Sequence, residues 1–173
     1  MKVLLLMVLF SVVYAMKPVP YSKDYSELHG VWYVKAWVGN VDIPEDKKHE
    51  KIPAFTIRPI TKDKMEAKLN LRKNGRCEEI KLSLERTNQP GKLLTWGRQT
   101  VNVLDMDMAG YLISYIESKM NGKNIMMMEL MGRKPEMNPQ AFQIFKDFVK
   151  SKGHDPEQII IPEIEVNCAT GQL

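Results

Sequence analysis

Met65-Glu66-Ala67-Lys68-Leu69-Asn70-Leu71-Arg72 alternates apolar and polar side chains without a fault, and Asn74-Gly75 follows almost at once. Successive side chains of a strand point to opposite faces, so this octet is a strand with one buried and one wet face. Asn-Gly between alternating runs is a strong signal for a two-residue hairpin. The chain should then fold back through Glu79-Ile80-Lys81-Leu82-Ser83-Leu84-Glu85, which alternates in the same way.

Working outward, Gln89-Pro90-Gly91 turns the chain, and Leu93–Trp96, Gln99–Met106 and Tyr111–Glu117 read as three more strands. Asn121-Gly122 is a second hairpin dipeptide, with Ile125–Met131 as the strand after it. Val31–Val38 and Phe55–Ile60 at the front bring the count to eight. Eight short strands joined mostly by tight turns predict an all-β chain, either an up-and-down barrel or a sandwich.

One segment changes period. Asn138-Pro139 offers an N-cap followed by proline at the first helical position. Ala141, Phe142, Phe145, Phe148 and Val149 recur at helical spacing, and Gly153 stands where a C-terminal glycine belongs. This single C-terminal α-helix needs a surface to bury its phenylalanines. The last two strands supply one, because Tyr111–Ile116 and Ile125–Met131 are apolar on both faces and must be covered on both.

The ends and the composition set the compartment. Met1-Lys2, an almost unbroken apolar run over Val3–Val13 and the small residues before Met16 describe a secretory signal over residues 1–15. Residues 16–173 are then one domain, exported, with no second apolar stretch long enough to span a bilayer. The two cysteines, Cys77 and Cys168, read as a disulfide in an oxidising compartment; neither has a Cys or His neighbour at zinc-ligand spacing. The net charge of +4 is modest, and the basic residues are interleaved with acids, as in Asp46-Lys47-Lys48-His49-Glu50-Lys51. That pattern makes a solvated face and excludes a nucleic-acid groove.

The catalytic motifs are missing. The three histidines are scattered, and neither a Gly-x-Ser-x-Gly elbow nor a His-Glu-x-x-His pair occurs. Asp105-Met106-Asp107-Met108-Ala109-Gly110 echoes a calcium loop but lacks an oxygen ligand at Ala109 and again at Ile116, and reads as a turn. We therefore expect no enzyme, no catalytic residue, no cofactor and no metal.

Gly30-Val31-Trp32 at the head of the first strand, Gly132-Arg133 after the eighth, the single helix beyond and the spacing of the two cysteines together resemble the lipocalin family. Gly75-Arg76-Cys77, Gln89-Pro90-Gly91-Lys92 and Met131-Gly132-Arg133-Lys134-Pro135 are similar to its tear-lipocalin and odorant-binding group. One motif departs: the family's threonine-aspartate-tyrosine falls at Ala109-Gly110-Tyr111, where only the tyrosine matches. The resemblance implies an eight-stranded antiparallel up-and-down barrel with the helix packed outside. It also implies Arg133 lying over the Trp32 ring at the closed end, Gly30 and Trp32 opening the fold, and a Cys77–Cys168 bond.

Function then falls to the barrel interior. Placing polar side chains outward assigns an inward set of Val34, Ala36, Met65, Ala67, Leu69, Ile80, Leu82, Leu84, Leu112, Ser114, Ile116 and Met128, with Glu129 outside. Alternation alone leaves open whether these fill the barrel as an ordinary core or line a cavity; the resemblance implies a cavity for one small hydrophobic ligand. Burying about 250 Å² of apolar ligand offers roughly 6 kcal/mol, in the micromolar range. Two functions stand: a secreted carrier of an odorant, pheromone, fatty acid or similar lipid, and a secreted interaction module such as a protease inhibitor or receptor-binding signal. The partners expected are the ligand, with a cell-surface receptor as a further candidate, and the chain is expected to be a monomer or weak dimer.

Overall fold

The computed structural model describes residues 17–40, 51–73, 75–95, 99–120 and 122–165. The signal-like residues 1–15, Cys168, Trp96 and the hairpin residues Asn74 and Asn121 lie outside the described residues.

Two short strands flank the main ones at the front: β1 (Val19–Pro20) precedes β2 (Gly30–Gly39), and β3 (Ile52–Pro53) precedes β4 (Phe55–Pro59). The faultless octet lies in β5 (Lys64–Lys73) and its partner in β6 (Arg76–Arg86). These pair antiparallel over their whole length, from Lys64 opposite Glu85 to Lys73 opposite Arg76. β7 (Lys92–Leu94), β8 (Thr100–Asp105), β9 (Tyr111–Met120) and β10 (Lys123–Gly132) continue the meander, each antiparallel to the last. β10 then pairs back onto β2, and β2 onto β4, so eight strands close into a barrel. β11 (Ile164–Glu165) runs parallel to β3, laying the C-terminal segment against the front of the chain.

The helix α1 (Pro139–Ser151) begins and ends as its residues predict. Asn138 Oδ1 accepts from the backbone N–H of Gln140 at 2.8 Å and of Ala141 at 3.1 Å, and Pro139 occupies the first turn. Ala141, Ile144, Phe145, Phe148 and Val149 are buried, and they pack with Ile113 and Tyr115 of β9 and Met126, Met128 and Leu130 of β10. Tyr115 and Phe148 meet edge to face at 6.1 Å. The described residues thus form two separate apolar clusters, one inside the barrel and one between the barrel wall and the helix. Among the described residues no helix is long and apolar enough to cross a membrane.

One end is closed by Trp32 and Arg133. The Arg133 guanidinium lies 3.8 Å from the centre of the Trp32 ring. It donates to the Val31 carbonyl at 2.9 Å and the Glu27 carbonyl at 2.5 Å, while the Trp32 indole N–H donates to the Leu28 carbonyl at 2.8 Å. Gly30 adopts φ +101°, a conformation that favours glycine, and a Cβ there would press on an Arg133 nitrogen at 3.1 Å. The three parts of the Gly-x-Trp…Arg pattern are one packed unit. Arg133→Ala removes the ring contact and two hydrogen bonds, and is expected to lower stability in urea by about 1–3 kcal/mol. Ligand affinity should stay within about twofold, since the arginine touches the outer side of the ring. A stable variant that no longer binds would place Arg133 in the site.

Candidate ligand-binding cavity

The barrel interior is hollow. It encloses a cavity of about 330 Å³ whose wall, among the described residues, is apolar except at two side chains, Ser114 and Glu129. That volume is at the small end for sites that bury a whole organic ligand. Trp32 and Leu28 lie toward the closed end, and Ile52 and Pro53 of β3 cover part of the wall.

Of the expected inward residues, Val34, Ala67, Leu69, Leu82, Leu84, Leu112, Ser114 and Ile116 line the cavity. Ala67 is flanked by Ile57 of β4 and Leu82 of β6, so three adjacent strands present apolar side chains at one level. The wall also takes in Phe55, Leu93, Val101, Val103, Met127 and Met131, which the sequence reading did not assign. Val101 and Val103 could have been found: Thr100–Asp105 alternates with valines on one face.

Four expected residues are placed differently. Met65 points inward but is buried in the interior cluster without reaching the cavity. Ile80, opposite Leu69, is more than a third exposed. β6 pairs with β7 only at Glu85 and Arg86, so among the described residues nothing flanks Ile80 on that side. Ala36 belongs to the helix-facing cluster, not the interior. The cause is a bulge: Leu130 pairs with Ala36 but Met131 pairs with Val34, so Lys35 is an extra residue in β2. Side chains change face there, and Trp37 rather than Ala36 packs against the interior. Lys35 itself is buried outside the barrel, its ammonium donating to the Pro135 carbonyl.

Met128 is the larger correction. It and Leu130 are fully buried beneath the helix, and the other face of β10, Met127, Glu129 and Met131, looks into the cavity. The expectation rested on sending Glu129 to water. It is instead enclosed, accepting a hydrogen bond from the Ser114 hydroxyl opposite it on β9. Desolvation raises its pKa, and the Ser114 bond opposes that only in part.

Cys77 is disulfide-bonded rather than free; Cys168, its expected partner, lies outside the described residues. Among the described residues no three His, Cys, Asp or Glu side chains converge on a point where a metal could sit.

Residues 29–165 match the profile of the lipocalin / cytosolic fatty-acid binding protein family. The chain is 30% identical to von Ebner gland protein 2 of Rattus norvegicus, covering 99% of each chain. It is 31% identical to odorant-binding protein 2a of Mus musculus, over 84% of this chain and 82% of that one. The solved structure of the siderocalin Ex-FABP superposes with a TM-score of 0.71 at 23% identity, covering 81% of this chain and 96% of that one.

Proposed function

Because the chain belongs to the lipocalin / cytosolic fatty-acid binding protein family, we propose that it is an exported carrier that holds one small hydrophobic molecule in its barrel. The observation that carries this reading is the hollow interior of about 330 Å³ behind an almost wholly apolar wall. A folded protein packs its interior to crystal-like density and keeps few voids larger than a water molecule. A void of this size therefore calls for an occupant. The wall offers contact area and few hydrogen-bonding groups, so size and apolar surface dominate recognition. The family name and that of odorant-binding protein 2a support ligands of the fatty-acid or odorant kind. Residues 1–15 and the disulfide-bonded Cys77 support export, since disulfides persist in oxidising compartments.

The test is a titration of the mature protein with N-phenyl-1-naphthylamine, whose fluorescence rises on leaving water. We expect saturable binding of one probe per chain in the micromolar range. Absence of saturable binding by protein with a β-sheet circular dichroism spectrum would leave the interaction-module reading in its place.

A further inference from the structure

Glu129 is the one ionisable side chain on the cavity wall among the described residues. A carrier for hydrocarbon alone has no use for it, since a buried carboxyl without a cation is unfavourable. Building on the carrier reading, we propose that Glu129 makes the cavity select lipophilic ligands that carry a basic nitrogen over fatty acids of the same length.

The placement supports this on three sides. On β9 its neighbour is Ser114, whose hydroxyl hydrogen-bonds the carboxyl; on β2 its neighbour is Trp37. Beyond Ser114, β8 presents Val103. The nearest acid on that strand, Asp105, is ion-paired with Lys23 at 2.7 Å near the closed end. No described element packed around Glu129 brings it a cation, yet the residue keeps surface open to the void. Among the described residues the carboxyl is therefore left for a ligand.

The electrostatics of the filled cavity then rank the ligands. An amine head and Glu129 together leave no net charge inside, and their hydrogen bond is charge-assisted. An alcohol makes an ordinary neutral hydrogen bond. A fatty acid brings a second carboxyl beside the first, and one of the two must then be held protonated or both repel. Burial raises the Glu129 pKa, which fits a carboxyl whose cation arrives only with the ligand.

The test uses the full mature chain and three dodecyl probes, 1-dodecylamine, 1-dodecanol and dodecanoic acid, displacing N-phenyl-1-naphthylamine at neutral pH. The wild type is expected to bind the amine about tenfold tighter than the acid, with the alcohol between them. Glu129→Gln keeps size and the Ser114 contact, and should bring amine and acid within about threefold while the alcohol changes little. Equal affinities in the wild type, or an amine preference that survives in E129Q, would overturn the assignment. The wild-type ranking needs no variant, and Glu129→Met serves if E129Q does not fold. Dodecanol binding without an amine preference removes Glu129 as selector and leaves the carrier standing. Failure of the naphthyl probe and all three dodecyl compounds to bind folded protein removes the carrier and the selector with it.

Discussion

Ala67→Trp is expected to weaken binding of a dodecyl-chain ligand by about a hundredfold or more while leaving the barrel folded. Ala67 lines the cavity between Ile57 and Leu82, buried in the interior cluster at the cavity wall. An indole there has the cavity to grow into, which lessens the usual penalty for overfilling a close-packed core. It is apolar, so it also avoids the cost of a buried charge, which would be hard to separate from unfolding. A hundredfold loss is about 2.7 kcal/mol, equivalent to roughly 110 Å² of forfeited apolar contact. An indole in a cavity of about 330 Å³ displaces at least that much of a ligand. The control is Lys81→Glu on the opposite face of β6, half exposed, where affinity should hold within about twofold. Wild-type affinity in A67W, with the fold intact by circular dichroism, would mean that the ligand sits elsewhere.

Ala67 could be placed from the sequence because β5 and β6 carry lysines and glutamates on one face and aliphatics on the other. Water sorts such strands well, and the two pair antiparallel through the expected hairpin, although Ile80, expected inward, is exposed. β10 gives no such guide. Met126, Met127, Met128, Leu130 and Met131 are apolar on both faces, so its only informative residue was Glu129. The rule that charges face solvent then inverted the whole strand, because one slip of register moves every side chain to the other side. A strand covered by a helix outside and a cavity inside has no wet face. Its lone acid then goes where a hydrogen-bond partner and a ligand can reach it. Ala36 was illegible for a different reason. A bulge at Lys35 changes parity within an otherwise regular run of alternating residues, and nothing in Val34-Lys35-Ala36-Trp37 announces it. The closed end was legible through the family resemblance, whose glycine, tryptophan and arginine positions fall together in one packed unit.

The helix-facing cluster responds to substitution in the opposite sense. Phe145→Ala is expected to lower stability by about 3–5 kcal/mol, the range for truncating a buried phenylalanine. Phe145 is fully buried in the cluster that joins α1 to Ile113 and Tyr115 of β9 and to Met126, Met128 and Leu130 of β10. Truncation removes its transfer free energy and leaves a hole that the helix cannot close without losing the contacts of Phe148 and Val149. A loss of that size is comparable to the whole stability of a marginal domain, so chemical denaturation should show a sharply lower midpoint with an unchanged slope. Ligand affinity, measured at low temperature where F145A is folded, should stay within about threefold of wild type, because no atom of Phe145 reaches the cavity. A67W and F145A therefore form a crossed pair: one removes binding and spares stability, the other removes stability and spares binding. Proportional loss of both properties in either variant would show that helix and cavity share one core. The two clusters would then be coupled through β9 and β10, the strands that present a side to each.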